Sequence, residues 1–281
     1  MRKFFSAALV IFLCSSPVAA DATGVDALTP FAGQIRPWSP GAARGHEEFG
    51  PVRAGIAPHH GLASETIARF YDSLPRDVER VILIGPDHFR AGRRFVTLCP
   101  LPWRTGNVIL ETDAGAAAAL ARVGGVNADS LPFRLEHSIG LHIVFIGRYF
   151  PNAKVVALMV NNAAPARDLS GLVHVLSELL ADESNKKNLL ILSMDFSHDK
   201  TPEEAKREDD KSIEKILSFK TEALMGLDID APVAARLFLE VLKSRGVTDG
   251  FVLERTNSGE IIGCPDSPCT SYATVLFRPA F

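Results

Sequence analysis

The chain carries no block of basic residues. Lys and Arg number 30 against 33 Asp and Glu, a net charge of −3 over 281 residues, so nothing offers the continuous positive surface that a nucleic acid requires. Outside the first twenty residues it has no apolar run long enough to cross a bilayer, which takes about 20 residues. It has no internal repeat and no low-complexity linker, which favours one domain over several. Cysteine is scarce: Cys14, Cys99, Cys264 and Cys269 only. Their spacing matches no common zinc pattern, and two neighbouring cysteines do not by themselves make a structural zinc site. What remains is 47% hydrophobic and 22% charged, an ordinary globular composition that can bury a core of normal size.

The first twenty residues stand apart. Met1-Arg2-Lys3 is a short basic start, Phe4 to Cys14 an apolar run, and Val18-Ala19-Ala20 a small-residue stretch before Asp21. This is the pattern of a secretory signal cut after Ala20. Leu13 before Cys14 is not the small residue a lipoprotein signal wants. The expectation is a periplasmic or secreted protein with no membrane span after cleavage. In an oxidising compartment Cys264-Pro-Asp-Ser-Pro-Cys269 is either a disulfide loop or a pair of free thiols. Cys99 is expected to be an unpaired core residue.

Residues 21–50, rich in Pro, Gly and Ala, read as an irregular leader, or a loop wrapped on a domain covering 51–281. From Val52 strand and helix alternate. Val52–Ala57, Val81–Ile84, Phe95–Leu98, Lys154–Val160, Leu189–Leu192, Phe251–Arg255 and Tyr272–Phe277 read as strands. The continuous apolar runs among them suit strands covered on both faces. Helical spacing predicts helices after a Ser64 cap, over Asp113–Val123, Ile139–Phe150, Leu169–Leu179 and Pro202–Phe219, and from Pro232 to a Gly246 C-cap. Such alternation means an α/β domain with a central, mostly parallel or mixed sheet flanked by helices on both faces.

Six of the eight histidines fall in four short segments at expected strand or helix ends. They are Ala57-Pro58-His59-His60-Gly61, Gly85-Pro86-Asp87-His88, Glu136-His137-Ser138-Ile139-Gly140-Leu141-His142 and Ser193-Met194-Asp195-Phe196-Ser197-His198. Ligand sites in α/β proteins collect outside the carboxyl ends of strands, and imidazole is the commonest metal ligand. Four segments with the same placement point to one pocket, although a lone histidine at a strand end is more often structural. Two histidines and a carboxylate would form a set suited to non-haem iron. His174, within a leucine-rich helix, and His46, in the leader, stay outside this group.

These segments resemble the MEMO-like family, whose bacterial members include AmmeMemoRadiSam system protein B. The phrases that carry the resemblance are Ala57-Pro58-His59-x-Gly61, Ile84-Gly85-Pro86-x-His88, Glu136-His137-Ser138-Ile139-x-x-His142 and Ser193-x-Asp195-Phe196-x-His198. They run in order from about Arg53 to the C-terminus, with the signal and leader outside. The family is similar in turn to extradiol dioxygenases with a LigB-like fold. That likeness implies His59 and His88 as metal ligands, with His60 beside them in a position the family fills with a small residue. The family's third ligand falls on Asp228, with Asp230 competing but also placed to cap the helix at Pro232; Cys264 or Cys269 is a remote alternative. An aspartate there would favour Fe(II), with Zn or Cu as other occupants. The resemblance makes His198 the general base and Asp195 its orienting carboxylate, with His137 and His142 on the opposite wall and Glu136 as partner to one of them.

Three functions fit these readings. The first is an exported, metal-dependent oxidoreductase of dioxygenase type. The second is a metal-binding protein without turnover. The third is a pocket for a small molecule or peptide, as the resemblance to animal relatives implies. The sequence sets no oligomeric state.

Overall fold

In the computed structural model, described over residues 24–27, 35, 52–165, 168–181 and 187–278, the apolar runs of the sequence pair into one mixed sheet. The expected signal peptide at 1–20 and most of the leader at 21–50 lie outside the described residues. The strands are β1 (Val25–Asp26), β2 (Ala54–Ala57), β3 (Arg80–Pro86), β4 (Val96–Leu98), β5 (Trp103–Thr105), β6 (Val108–Leu110), β7 (Val126–Ala128), β8 (Lys154–Val160), β9 (Asn188–Ser193), β10 (Asp249–Asn257) and β11 (Ser271–Arg278). The main sheet runs β10-β11-β2-β9-β3-β8-β4-β7, and β1, β5 and β6 form a small second sheet. The centre of the main sheet, β2-β9-β3-β8, is parallel throughout. Antiparallel pairing begins at β11 on one side and β4 on the other.

The helices are α1 (Ser64–Asp72), α2 (Ala114–Ala121), α3 (His137–Tyr149), α4 (Ser170–Ala181), α5 (Pro202–Leu217), α6 (Pro232–Ser244) and α7 (Ser258–Ile262). They cover both faces, and the strand residues show why. In β3, Ile82 and Ile84 enter one core with α4, α5 and α6, while Val81 and Leu83 enter the other with α1 and α3. In β9, Leu190 and Leu192 divide in the same way from Leu189 and Ile191. Side chains alternate along a strand, so a run with no polar residue is stable only between two apolar layers.

Several local expectations shift. Ser64 is the first residue of α1 and not its cap: a 3-10 turn over Gly61–Ala63 leads straight into the helix, and Ala63 is the N-cap. Asp113 does cap α2, accepting from the Ala116 N–H. Pro232 sits in the first turn of α6 as expected, and Gly246 follows that helix with φ +69. The strands β1, β5, β6 and β7 are two or three residues long, too short to display a period. Within the leader, β1 pairs in parallel with β5, and Val25 and Ala27 are buried against the domain.

The parallel centre brings the ends of β2, β9 and β3 side by side, and the segments bearing His59, Asp195 and His88 leave from those three ends. The start of α3 is drawn against the end of β3, where the Ser138 hydroxyl donates to the Pro86 carbonyl at 3.0 Å. Gly85 permits this approach: a Cβ there would lie 2.9 Å from the Ser138 Oγ and 3.0 Å from Ile139. Among the described residues no helix is long and apolar enough to cross a membrane.

Candidate metal centre

His59 follows β2 and is 2% exposed. Its orientation is set by a short hydrogen-bond chain with one direction. The Ser193 hydroxyl donates to the Ser138 carbonyl at 2.6 Å, so its oxygen is left to accept the His59 Nδ1 proton at 2.9 Å. Nδ1 therefore carries the hydrogen, and Nε2 faces the centre, 2.9 Å from Asp230 Oδ2. His88 repeats the arrangement. Its Nδ1 donates to Glu136 Oε1 at 2.9 Å, and its Nε2 lies 3.3 Å from the same Asp230 oxygen. Glu136 also accepts the His88 backbone N–H at 2.9 Å and the Ser138 N–H at 3.0 Å, so it holds the ligand loop and caps α3 at once. The loop itself is shaped by Asp87, whose carboxylate accepts the Ala91 and Gly92 N–H groups at 3.0 Å each.

Asp230, and not Asp228, is the carboxylate between the histidines. Asp228 turns away and pairs with Lys200 at 3.5 Å. The expected capping role of Asp230 also gives way: the N-cap of α6 is Ala231, without a side-chain bond. Asp230 Oδ1 instead accepts the Asp195 N–H at 3.0 Å. The Asn162 amide donates to the Asp230 carbonyl at 2.6 Å and pins the segment. Asp195 is tied to His59, not to His198. Its Oδ1 accepts the His59 N–H at 3.0 Å, and its Oδ2 stands 3.8 Å from His59 Nε2.

The remaining histidines take different stations. His137 joins the cluster, with its ring 4.5 Å from that of His88 and nearly parallel, and 5.2 Å from that of His59. His142 does not line the wall. It is 0% exposed, and its Nδ1 bonds the Tyr71 hydroxyl at 3.0 Å within the core beneath α1 and α3. His198 is exposed at the end of its loop. Cys264 and Cys269 are free thiols, one exposed and one buried, so the disulfide alternative is not realised. Neither joins the donor clusters found among the described residues, His59 with His88 and His137, and His59 with Asp195 and Asp230.

The charges of the cluster follow from this geometry. Burial opposes a proton on His59, but Asp195 and Asp230 outweigh it and raise its pKa. Burial likewise opposes charge on His88, yet its bonds to Asp230 and Glu136 push it up to about 10. Against their own burial, Asp230 is held well below the usual carboxylate range by His59 and His88, and Glu136 is lowered by His88. Burial drives His137 down to about 3, helped by the neighbouring His59 and His88, and drives His142 to about 3 as well.

Each histidine is spaced from Asp230 as two ligands of one divalent transition metal would be. Two ligand atoms each about 2.1 Å from a metal, at tetrahedral or octahedral angles, lie about 3.0–3.4 Å apart. Asp230 Oδ2 stands 2.9 and 3.3 Å from the two Nε2 atoms. In the metal-free protein the same spacing serves N–H···O bonds, so a metal would replace protons. Uptake at pH 7 is therefore expected to release protons from His59 and His88. Affinity should rise with pH, by about one log unit per pH unit for each proton displaced. Calorimetry in buffers of differing ionisation enthalpy checks this, and a heat independent of buffer would contradict it.

Residues 35–276 match the family model described as Memo-like protein. The match begins inside the leader, earlier than the Arg53 start that the motifs imply. A MEMO1 family protein of Methanopyrus kandleri is 28% identical over 244 residues, which cover 79% of this chain and 82% of that protein. Another, from Aquifex aeolicus, is 26% identical over 237 residues, covering 80% and 85%. Among solved structures, an uncharacterized protein from Escherichia coli K12 aligns with a TM-score of 0.48 and 12% identity, over 80% of this chain and 99% of its own.

Proposed function

Because the chain belongs to the Memo-like family, we propose that it is an exported metal-binding protein whose centre is His59, His88 and Asp230, and that it works as a dioxygenase-like oxidoreductase on a small-molecule ligand. One observation carries the reading. Both histidines give their Nδ1 protons to fixed acceptors, Ser193 and Glu136, and aim Nε2 at one carboxylate oxygen. Metal-ligating histidines are held in this way, with the second ring nitrogen donating to a carboxylate, carbonyl or other acceptor.

Two imidazoles and a carboxylate suit Fe(II), which would supply oxygen chemistry at open positions. The chain's own groups do the rest. Asp195 and Glu136 balance the charge of the histidines they face. His198, exposed at the end of its loop, is assigned as the base that takes a proton from a ligand. The likeness to extradiol dioxygenases adds an analogy of fold, and one fold hosts many activities.

A second reading rests on His137. With its ring stacked on His88 it adds a third imidazole to the cluster. Three imidazoles and Asp230 would close a four-coordinate site for Zn or Cu, giving a metal-handling protein without turnover.

Metal analysis by mass spectrometry of untagged protein from the periplasmic fraction separates the readings, with a His59→Ala/His88→Ala variant alongside. Near-stoichiometric iron lost in the variant supports the oxidoreductase. Zinc or copper supports the closed site. No metal in either protein, with no binding of added Fe(II), Zn(II) or Cu(I), contradicts both. N-terminal sequencing of the protein from fractionated cells should read from Asp21 in the periplasm, and a chain starting at Met1 found only in the cytoplasmic fraction would remove the export proposal.

A further inference from the structure

The loop that carries Asp195 has a second side, facing α5. Ser197 gives its N–H and its hydroxyl to one oxygen of Asp209, at 3.2 and 2.5 Å. The other oxygen, Oδ2, takes no hydrogen bond among the described residues. Arg255 keeps its Nη2 3.8 Å away from it and bonds Asp210 through Nη1 at 2.6 Å. The Asp209 side chain is 7% exposed, so a nearly buried carboxylate has one acceptor side left open. Asp209 lines a cavity of about 440 Å³ between the start of α5, the end of β10, α7 and the start of β11, a volume within the range of small-ligand sites.

Ser271 forms part of the same wall. Side chains alternate along β11, and Ala273, Val275 and Phe277 enter the core shared with α5, so Ser271 turns to that side as well. It is 3% exposed, and its hydroxyl has no hydrogen-bond partner among the described residues. Its backbone N–H and carbonyl are already spent on Ser197 and Phe196. Two buried polar groups with unmade bonds therefore meet at one space, and such groups are costly to leave so. The charges around them select the ligand. Glu260, on the α7 side, adds a second carboxylate, of which one oxygen accepts the Thr256 hydroxyl at 2.9 Å. The cations of the wall, Lys206 and Arg255, are both engaged by Asp210, at 2.8 and 2.6 Å, so an anion would have to displace it. Among the described residues the donor clusters spaced for a metal ion all contain His59. An ammonium group has three N–H donors and no acceptor, and Pro202 and Ala205 offer apolar surface for an alkyl stem.

We propose that this cavity binds the ammonium group of an alkyl amine, with Asp209 Oδ2 and the Ser271 hydroxyl as acceptors and Glu260 as a flanking charge. The site is separate from His59, His88 and Asp230 and does not rest on the metal reading.

Amide NMR of the purified protein, titrated with n-butylammonium chloride at pH 7, tests this. The N–H resonances of Ser197 and Ser271 should shift saturably, while n-butanol, of similar shape without the charge, should leave them in place. Asp209→Asn keeps an oxygen for Ser197 and should weaken binding about tenfold or more, since a hydrogen bond to a charged group is lost. Glu260→Gln, on the exposed side of the cavity, should weaken it less and carries the test if Asp209→Asn fails to fold. Glu208→Gln, on α5 but outside the cavity, should change nothing. No saturable shift, an equal response to n-butanol, or undiminished binding in both cavity variants overturns the proposal. Calcium moving the same resonances at lower concentration than the amine would show an oxygen-lined metal site and overturn it too.

Discussion

Asp230→Ala should strip the centre of metal, while Asp228→Ala should leave metal content unchanged. Asp230 is the carboxylate whose single oxygen reaches both His59 and His88, whereas Asp228 is engaged with Lys200. Loss of an outer partner of a metal ligand costs ~10–100-fold in affinity, and loss of the carboxylate itself should exceed that. The alanine variant also leaves the Asp195 N–H without its acceptor, a destabilisation of about 1–3 kcal/mol. Asp230→Asn separates the two effects: its remaining oxygen can keep that backbone bond while the charge is lost. Zinc titration by calorimetry, beside a thermal melt, reads both quantities. Equal metal loss in Asp228→Ala and Asp230→Ala would mean that the segment before α6 rearranges on binding.

Glu136→Ala should be nearly as damaging, and in two ways at once. The carboxylate is 2% exposed and accepts three hydrogen bonds, from His88 Nδ1, the His88 N–H and the Ser138 N–H. Removing it uncaps α3 and leaves the partly buried His88 without its anchor. Breaking a buried charged pair from one side costs about 3–5 kcal/mol, and metal affinity should fall by ~10–100-fold because the ring is free to turn. Glu136→Gln should recover most of the stability, since one oxygen still accepts, but not the His88 protonation. With its pKa raised to about 10 in the fold, His88 contributes stability that is full below about pH 6.5 and lost as pH rises through about 10. In Glu136→Gln the loss should still begin at about pH 6.5 but be smaller and complete at lower pH. Denaturant melts of the metal-free proteins across this range measure it, and identical pH profiles would show that Glu136 does not hold the proton on His88.

The histidine cluster was visible in the sequence because its parts stand at the ends of recognisable strands. Val81–Ile84 and Leu189–Leu192 are uninterrupted apolar runs, and each ends at a turn-prone residue that hands the chain to His88 or to Asp195. Period and punctuation therefore place His59, His88 and Asp195 near one edge of a sheet. The same rules misplace His142, since a helix beginning at Glu136 reads as a wall of the pocket until its faces are assigned. One turn beyond His137, that helix is already inside the core, where Tyr71 takes the ring.

The choice between Asp228 and Asp230 shows where sequence reasoning ends. The two residues are two apart in a non-repeating segment between a 3-10 helix and α6, and no period distinguishes them. Composition, the apolar runs and the histidine-bearing strand ends followed from the sequence, because they depend on local alternation and on turn chemistry. The carboxylate between the histidines and the anchoring of His59 by Ser193 were decided by tertiary structure. Each depends on segments far apart in the chain, 142 and 134 residues, meeting at one place. Hydrogen bonds such as that from Asn162 to the Asp230 backbone fix which way each side chain turns.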